Sequence, residues 1–303
     1  MTASQSTPTT SPGTAEADRP VIAFLGTGRM GGPMAANLAS AGFPVRAWNR
    51  TSSHTATATA QGAAVAATPA EAVEGAAVVI TMLADGPATD QVLSGTDGFA
   101  RTRAPGLIWA QMGTIGLEWT TRLARTAGEN DIAYADAPVS GSQGPAEAGD
   151  LVILASGPDE ARDALTPAFD VLGRDTFWLG PAGNGTRAKL VFNSWLADLT
   201  EATAENLAFA HRLGLDPAAV VDVLQSTPLG SPYAVQKARA MLAGDFAPAF
   251  ALKHAIKDAE LAVQAAQASG ARLELTNALI PRWHTTADEG HAEEDLAAVY
   301  ATA

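Results

Sequence analysis

Short apolar runs punctuate the chain at residues 21–25, 45–48, 78–83, 107–109, 132–134, 151–154 and 176–179, with a weaker one at 63–66. Runs of this length that stop at glycine, proline or polar residues read as buried strands. Helical spacing of apolar positions lies between several of them, at 33–41, 117–127 and 159–171. Strands alternating with helices predict a parallel sheet covered on both faces. After Gly185 the strands stop. The chain then reads as helices broken at Gly214-Leu215-Asp216-Pro217, Thr227-Pro228-Leu229-Gly230-Ser231-Pro232 and Gly244-Asp245-Phe246-Ala247-Pro248. The stretch 186–213 contains neither Pro nor Gly. As one helix it would extend roughly 42 Å at 1.5 Å per residue, long enough to join two domains as a spine.

The chain has 303 residues, and at about 150 residues per domain two domains are expected. The pattern divides it into a tail at 1–19, an α/β domain at 20–182 and an all-α domain at 183–303. The tail is rich in Ser, Thr and Pro without an apolar or basic leader segment, which predicts a disordered extension on a cytoplasmic protein. Composition then removes several functions. With 19 Lys and Arg against 32 Asp and Glu, the net charge of -13 disfavours nucleic acid and anionic membrane as partners. Zero cysteines and only 5 His, none in an H-E-x-x-H pattern, leave no expected metal site. The longest strongly apolar run, 76–84, is far short of the ~20 residues that span a bilayer.

Gly26-Thr27-Gly28-Arg29-Met30-Gly31 follows the first strand and opens a helix. In that context the spacing fits a dinucleotide-binding turn: glycines let the backbone approach a pyrophosphate, which then sits on the helix N-terminus. The domain is therefore expected to be a Rossmann domain; a purely structural glycine turn is the alternative. An acidic residue at the end of the second strand would bind the ribose 2′-OH of NAD and repel a 2′-phosphate. Asn49-Arg50-Thr51 stands there instead. A guanidinium, an amide and a hydroxyl can all donate to phosphate, so NADPH is expected over NADH unless Arg50 is only a solvated loop charge.

Hydride transfer to a carbonyl needs a proton donor. Lys189 lies in the first turns of the long helix within Gly183-x-Gly185-x-x-x-Lys189-x-x-x-Asn193, with Asn193 on the same face. The helix N-terminus disfavours a cation and is expected to lower the lysine pKa; a plain surface lysine is the alternative. A second glycine-rich loop, Asp136 to Gly144, ends a strand. There Ser140 and successive backbone N–H groups could hold a carboxylate, or form only a turn.

Taken together, these segments and Lys257-Asp258-Ala259-Glu260-Leu261-Ala262 resemble the β-hydroxyacid dehydrogenase family, from about residue 21 to the end, in order and spacing. The resemblance implies a Rossmann domain, a long interdomain helix and a helical substrate and oligomerisation domain. Lys189 becomes the catalytic lysine, and Ser140, Gly141 and Asn193 the substrate contacts. Lys257 would reach back to the nicotinamide site, and Thr114 and the loop Met82-Leu83-Ala84 would line the cofactor together with Gly26, Gly28, Arg29, Met30 and Gly31. Dimers or higher homo-oligomers are implied. Ser142, Ser194 and Gln111-Met112-Gly113-Thr114 depart from the family pattern and leave substrate identity open. Trp195, Trp109 and Trp119 fall near the site in sequence; as pocket walls they would favour a less polar substrate, and core packing explains them equally well. Imine reductases, related and of the same architecture, are the rival reading; Lys189 weighs against them, because an iminium already carries the proton a carbonyl needs. A non-catalytic NADPH-binding protein is the third.

Overall fold

A computed structural model describes residues 19–102 and 105–303. Apart from Arg19, the tail expected at 1–19 lies outside the described residues. Six strands, β1 (Ile22–Leu25), β2 (Val45–Trp48), β3 (Ala64–Val65), β4 (Val78–Thr81), β5 (Ile108–Gln111) and β6 (Ala133–Asp136), pair in parallel in the order β3-β2-β1-β4-β5-β6. The order reverses between β1 and β4, where the loops leaving the strands part and open α/β sheets bind ligands.

Successive residues of β1 face opposite sides of the sheet. Ile22 and Phe24 pack with Leu38 of α1 (Gly31–Ser40), while Ala23 and Leu25 pack with Val73, Leu93, Trp109 and Leu123 on the other face. Two short helices, α2 (Ala56–Thr59) and α3 (Pro69–Val73), follow β2 and β3. After them come α4 (Gly86–Ser94), α5 (Leu117–Glu129), α6 (Gln143–Ala148) and α7 (Asp159–Leu172). Phe169 of α7 joins the Phe24 side. Trp109 is fully buried, edge-on to Phe99 and Tyr134, and its Nε1 donates to Thr81 Oγ1 at 2.9 Å. Truncation of such a residue to alanine costs about 3–5 kcal/mol.

The runs at 151–154 and 176–179 do not extend this sheet. They lie in a second sheet, β7 (Val139–Ser140), β8 (Leu151–Ala155) and β9 (Gly173–Trp178), with β7 antiparallel and β9 parallel to β8. Only Ala137 and Pro138 separate β6 from β7, whereas a parallel neighbour needs a crossover of about a dozen residues. The chain must turn back instead. An isolated bridge between Asp136 and Ser156 joins the two sheets.

The long helix α8 runs Asn184–Arg212, starting two residues before the expected Thr186. It packs against α10 (Pro232–Ala243), α11 (Leu252–Ser269) and α12 (Glu274–Thr286), with α9 (Pro217–Gln225) at its far end. Leu207, Met241, Leu252, Leu279 and Trp283 form this core. A buried Lys237–Asp295 ion pair lies within it, and Asp295 also accepts from Phe250 N at 3.0 Å and Ala297 N at 3.0 Å. Removing one partner of such a pair costs about 3–5 kcal/mol. Among the described residues no helix is long and apolar enough to cross a membrane.

Candidate active site

The glycine-rich turn after β1 is held by exclusion. A Cβ on Gly31 would lie 1.9 Å from Gly26 O, and one on Gly26, whose φ is +101°, would lie 2.4 Å from Met82 O. The turn therefore packs tightly on α1 and on the Met82–Ala84 loop leaving β4. Gly28 differs: a Cβ there would meet nothing within 4 Å. No protein neighbour demands glycine at that position, so the open space fits a group that comes close to the backbone. Met30, the residue before α1, gives no side-chain cap; Gly32 N donates to Gly28 O at 2.9 Å and Pro33 carries no N–H, so the turn meets an anion through the N–H groups that precede Gly32. A cleft of about 800 Å³ opens beside this turn, with Thr27, Gly28, Arg29, Ser53 and His54 among its walls.

Asn49 is placed differently from the sequence reading, which offered its amide to a phosphate. Its Oδ1 accepts from Thr27 N at 3.1 Å and its Nδ2 donates to Thr51 O at 3.0 Å. It braces the glycine turn against the end of β2. Arg50 and Thr51 are exposed beside it.

The N-terminus of α8 is closed by residues from the sheets. Asp136, 0% exposed at the end of β6, accepts from Thr186 N at 2.6 Å on Oδ2 and from Thr186 Oγ1 at 2.7 Å on Oδ1. Ser156 Oγ accepts from Gly185 N at 2.9 Å. Gly185 is required by this seat, because a Cβ would fall 2.2 Å from Leu154 O. Burial raises the Asp136 carboxyl above its usual range, and the hydrogen bonds from Thr186 and Ser156 oppose that shift.

One turn onward, Lys189 is partly buried, with Nζ 5.8 Å from the Phe192 ring centroid. Its pKa is lowered chiefly by burial; nearby Lys257 lowers it further and Asp258 raises it. The expected direction is thus present, but the leading cause is desolvation rather than the helix end, which already faces a carboxylate. Asn193, 3% exposed, donates from Nδ2 to Asp258 Oδ2 at 2.8 Å. Lys257 Nζ lies 2.8 Å from Asp258 Oδ1 and donates to Thr114 O at 2.5 Å. The loop holding Thr114 is itself fixed by Gln111, whose amide makes bonds of 2.8 Å and 2.7 Å with Gly113 O and N. Asn193, Asp258, Lys257 and Thr114 therefore form one connected group between α8, α11 and the loop after β5, and Lys189 stands within electrostatic reach of its Asp258 and Lys257.

Residues 21–180 match the NAD binding domain of 6-phosphogluconate dehydrogenase, and residues 183–303 match the NAD-binding domain of NADP-dependent 3-hydroxyisobutyrate dehydrogenase. Glyoxylate/succinic semialdehyde reductase 1 of Arabidopsis thaliana is 35% identical over 80% of this chain and 84% of its own length. The chain belongs to the β-hydroxyacid dehydrogenase family. An NAD-dependent L-serine dehydrogenase of Pseudomonas aeruginosa is 32% identical over 92% of this chain and 96% of its own. Among solved structures, a Mycobacterium tuberculosis 3-hydroxyisobutyrate dehydrogenase with L-serine has a TM-score of 0.86 at 31% identity, covering 94% of this chain and 99% of that one. An imine reductase from Pseudomonas sp. shares the fold, at TM-score 0.61 and 22% identity over 94% of this chain and 99% of that one.

Within this β-hydroxyacid dehydrogenase, Ser140 ends β7 and Gly141 follows at φ +133°, its backbone tight against Leu151 and Pro145. Of the three tryptophans that fell near the site in sequence, two are packing residues. Trp109 lies in the core, and Trp119 covers Gly86, where a Cβ would come within 2.0 Å of its ring. Trp195, 64% exposed, stands with Val191 and Phe192 around a shallow apolar hollow of about 490 Å³ on α8. The Asp136–Ser156–Thr186 contacts and the role of Asp258 as the link between Asn193 and Lys257 were not read from the sequence. Their signal was present only as acidic residues inside the loop and helix motifs.

Proposed function

We propose that this enzyme is an NADPH-dependent reductase of small carbonyl acids, of the semialdehyde or 3-hydroxyacid type, with Lys189 as the general acid. The observation that carries this reading is Lys189 itself: an amine with a lowered pKa, on the helix seated against the carboxyl end of the parallel sheet, beside the Asn193–Asp258–Lys257 group. Burial brings a lysine toward the range in which it can give a proton near neutral pH. Bound along the Gly26–Gly31 turn, the nicotinamide dinucleotide supplies or accepts the hydride. The chain's own residues do the rest. Lys189 Nζ gives its proton to the carbonyl oxygen as charge develops there, Asp258 holds Asn193 and Lys257 in place, and the Ser140–Gly141 backbone faces the substrate carboxylate. The semialdehyde reductase named among the relatives supports the substrate class.

The exposed Arg50 and Thr51 at the end of β2, with no carboxylate between them, support NADPH over NADH. Exposed Val191, Phe192, Trp195, Phe209 and Leu213 along α8 support a second copy of this chain as partner through the helical domain. Sedimentation measures that state, and a monomer at micromolar concentration would refute it. The activity is tested by following cofactor absorbance with NADPH or NADH against glyoxylate, succinic semialdehyde, 3-hydroxyacids and cyclic imines. Turnover of a carbonyl acid with NADPH is expected, and Arg50→Asp should reverse the cofactor preference. Turnover of imines alone would establish the imine reductase reading, and no turnover at all the non-catalytic one.

A further inference from the structure

Asp136 does not face the cleft, yet its carboxylate is the most heavily used side chain at the start of α8. The residue before the helix, Gly183, has no side chain to cap it. The first turn is capped from outside, by Asp136 on Thr186 and by Ser156 on Gly185. Ser156 Oγ also reaches Asp136, at 3.3 Å to its carbonyl and 3.4 Å to Oδ2. Thr186 Oγ1 lies 3.1 Å from Thr120 Oγ1 on α5. A 29-residue helix is therefore pinned at one end to β6, to the segment after β8 and to α5. Lys189 stands three residues beyond Thr186, so any slip or tilt at the pin moves Nζ relative to the edge where the cofactor turn lies.

We propose that Asp136 is the positioning residue of the catalytic helix, holding Lys189 in register with the cofactor-binding edge of the sheet. This rests on Lys189 being the general acid. The chemistry of the pin calls for a carboxylate rather than an amide. Both oxygens accept, one from a backbone N–H that can only donate. An asparagine offers one acceptor and one donor. Its NH₂ can be tolerated only opposite Thr186 Oγ1, which would have to turn its own proton toward Thr120. An alanine removes both acceptors and leaves the helix end open.

The expected series follows from that difference. Asp136→Ala lowers kcat about 100-fold, the scale reported for small displacements of a catalytic group. Asp136→Asn lowers it about tenfold, and Thr186→Val, which keeps the backbone bond, by only about threefold. In all of them the Kd for NADPH, measured by fluorescence titration, stays within about twofold, since the cofactor turn is untouched. Hydrogen exchange at the Gly185 and Thr186 amides, slow in the parent, becomes fast in Asp136→Ala. Asp295→Asn in the buried pair of the helical domain serves as the control: it lowers Tm while leaving kcat unchanged below melting. A kcat for Asp136→Ala within threefold of the parent would overturn the proposal, as would equal losses in kcat and NADPH affinity or an equal loss in the control. Lys189→Ala separates the two readings: if it turns over normally, the lysine assignment fails and the positioning role with it; if it is inactive while Asp136→Ala is active, only the positioning role fails.

Discussion

Two helices that point at the site begin alike and are finished differently. α1 and α8 each start at a glycine-rich turn, and in each a glycine presses on a carbonyl, Gly31 on Gly26 O at 1.9 Å and Gly185 on Leu154 O at 2.2 Å for a would-be Cβ. At α1 the first N–H groups have no side-chain cap and Gly28 opens on free space. At α8 the first N–H groups are taken by Ser156 and Asp136. The helix dipole is thus left open for an external anion at one end of the site and closed by the protein's own carboxylate at the other. A lysine can stand near the second end because the positive end of that dipole already faces a negative charge. At the first end the cation present, Arg29, lines the open cleft, where a phosphate would take up its charge.

The largest effect comes from removing what the two ends share. Gly31→Ala and Gly185→Ala each push a methyl group into a carbonyl oxygen, and both should cost several kcal/mol, at the upper end of single-substitution effects. Thermal unfolding would register this as a fall in Tm of roughly 10 °C or more for a chain of this size. A Tm within 2 °C of the parent in either variant would mean the backbone can part there. Next comes a change confined to the α8 end. Lys189→Ala should lose at least ~100-fold in carbonyl reduction, the lower range of general acid catalysis, with NADPH affinity retained. Steady-state kinetics beside a binding titration distinguishes that from a folding defect. Smaller still is a change confined to the α1 end. Gly28→Ala should fold as the parent does, because its Cβ meets no protein atom. It should weaken NADPH binding by about tenfold, since a methyl group takes the space of a backbone-hugging ligand. Unchanged affinity would show that the open space is not where the cofactor runs.

The same contrast explains what was legible in the sequence. The α1 end is built from a contiguous motif in which Gly31 answers to Gly26, Gly26 to the loop leaving β4, and Gly28 to open space, so spacing alone locates it. The α8 end joins Asp136 to Ser156 and Thr186 across 20 and 50 residues. Nothing in local spacing says which buried carboxylate will meet which helix. Lys189 was legible because it lies in phase with Asn193; the bond from Asn193 to Asp258 was not, because α8 and α11 meet only in the folded core and the two residues are 65 apart in the chain. The second sheet was missed for a similar reason. The runs at 151–154 and 176–179 look like any buried strand, and only the two-residue link between β6 and β7 forces them out of the main sheet.

The smallest effect is the most specific test of the α8 end, because it requires two pH slopes of opposite sign from one side chain. Lys189 has a folded pKa below its ordinary 10.5, mainly from burial. Between the two values the folded state binds fewer protons than the unfolded chain, so stability rises with pH through that window; the cost of holding a buried ammonium is fully present only below the folded value. Carbonyl reduction has the opposite dependence. With Lys189 as the proposed general acid, reduction needs the ammonium form, so its rate should fall as pH rises through the same folded value, while oxidation of the hydroxyacid should rise. Replacing the amine by a guanidinium, which keeps its proton throughout, should lower the rate and abolish the alkaline limb together. A rival titrating group on α11 is His254, whose pKa is also lowered, by burial and by Lys253 and Lys257. If the limb persists in Lys189→Arg and vanishes in a His254 variant, the proton belongs to α11 and not to the helix that Asp136 caps.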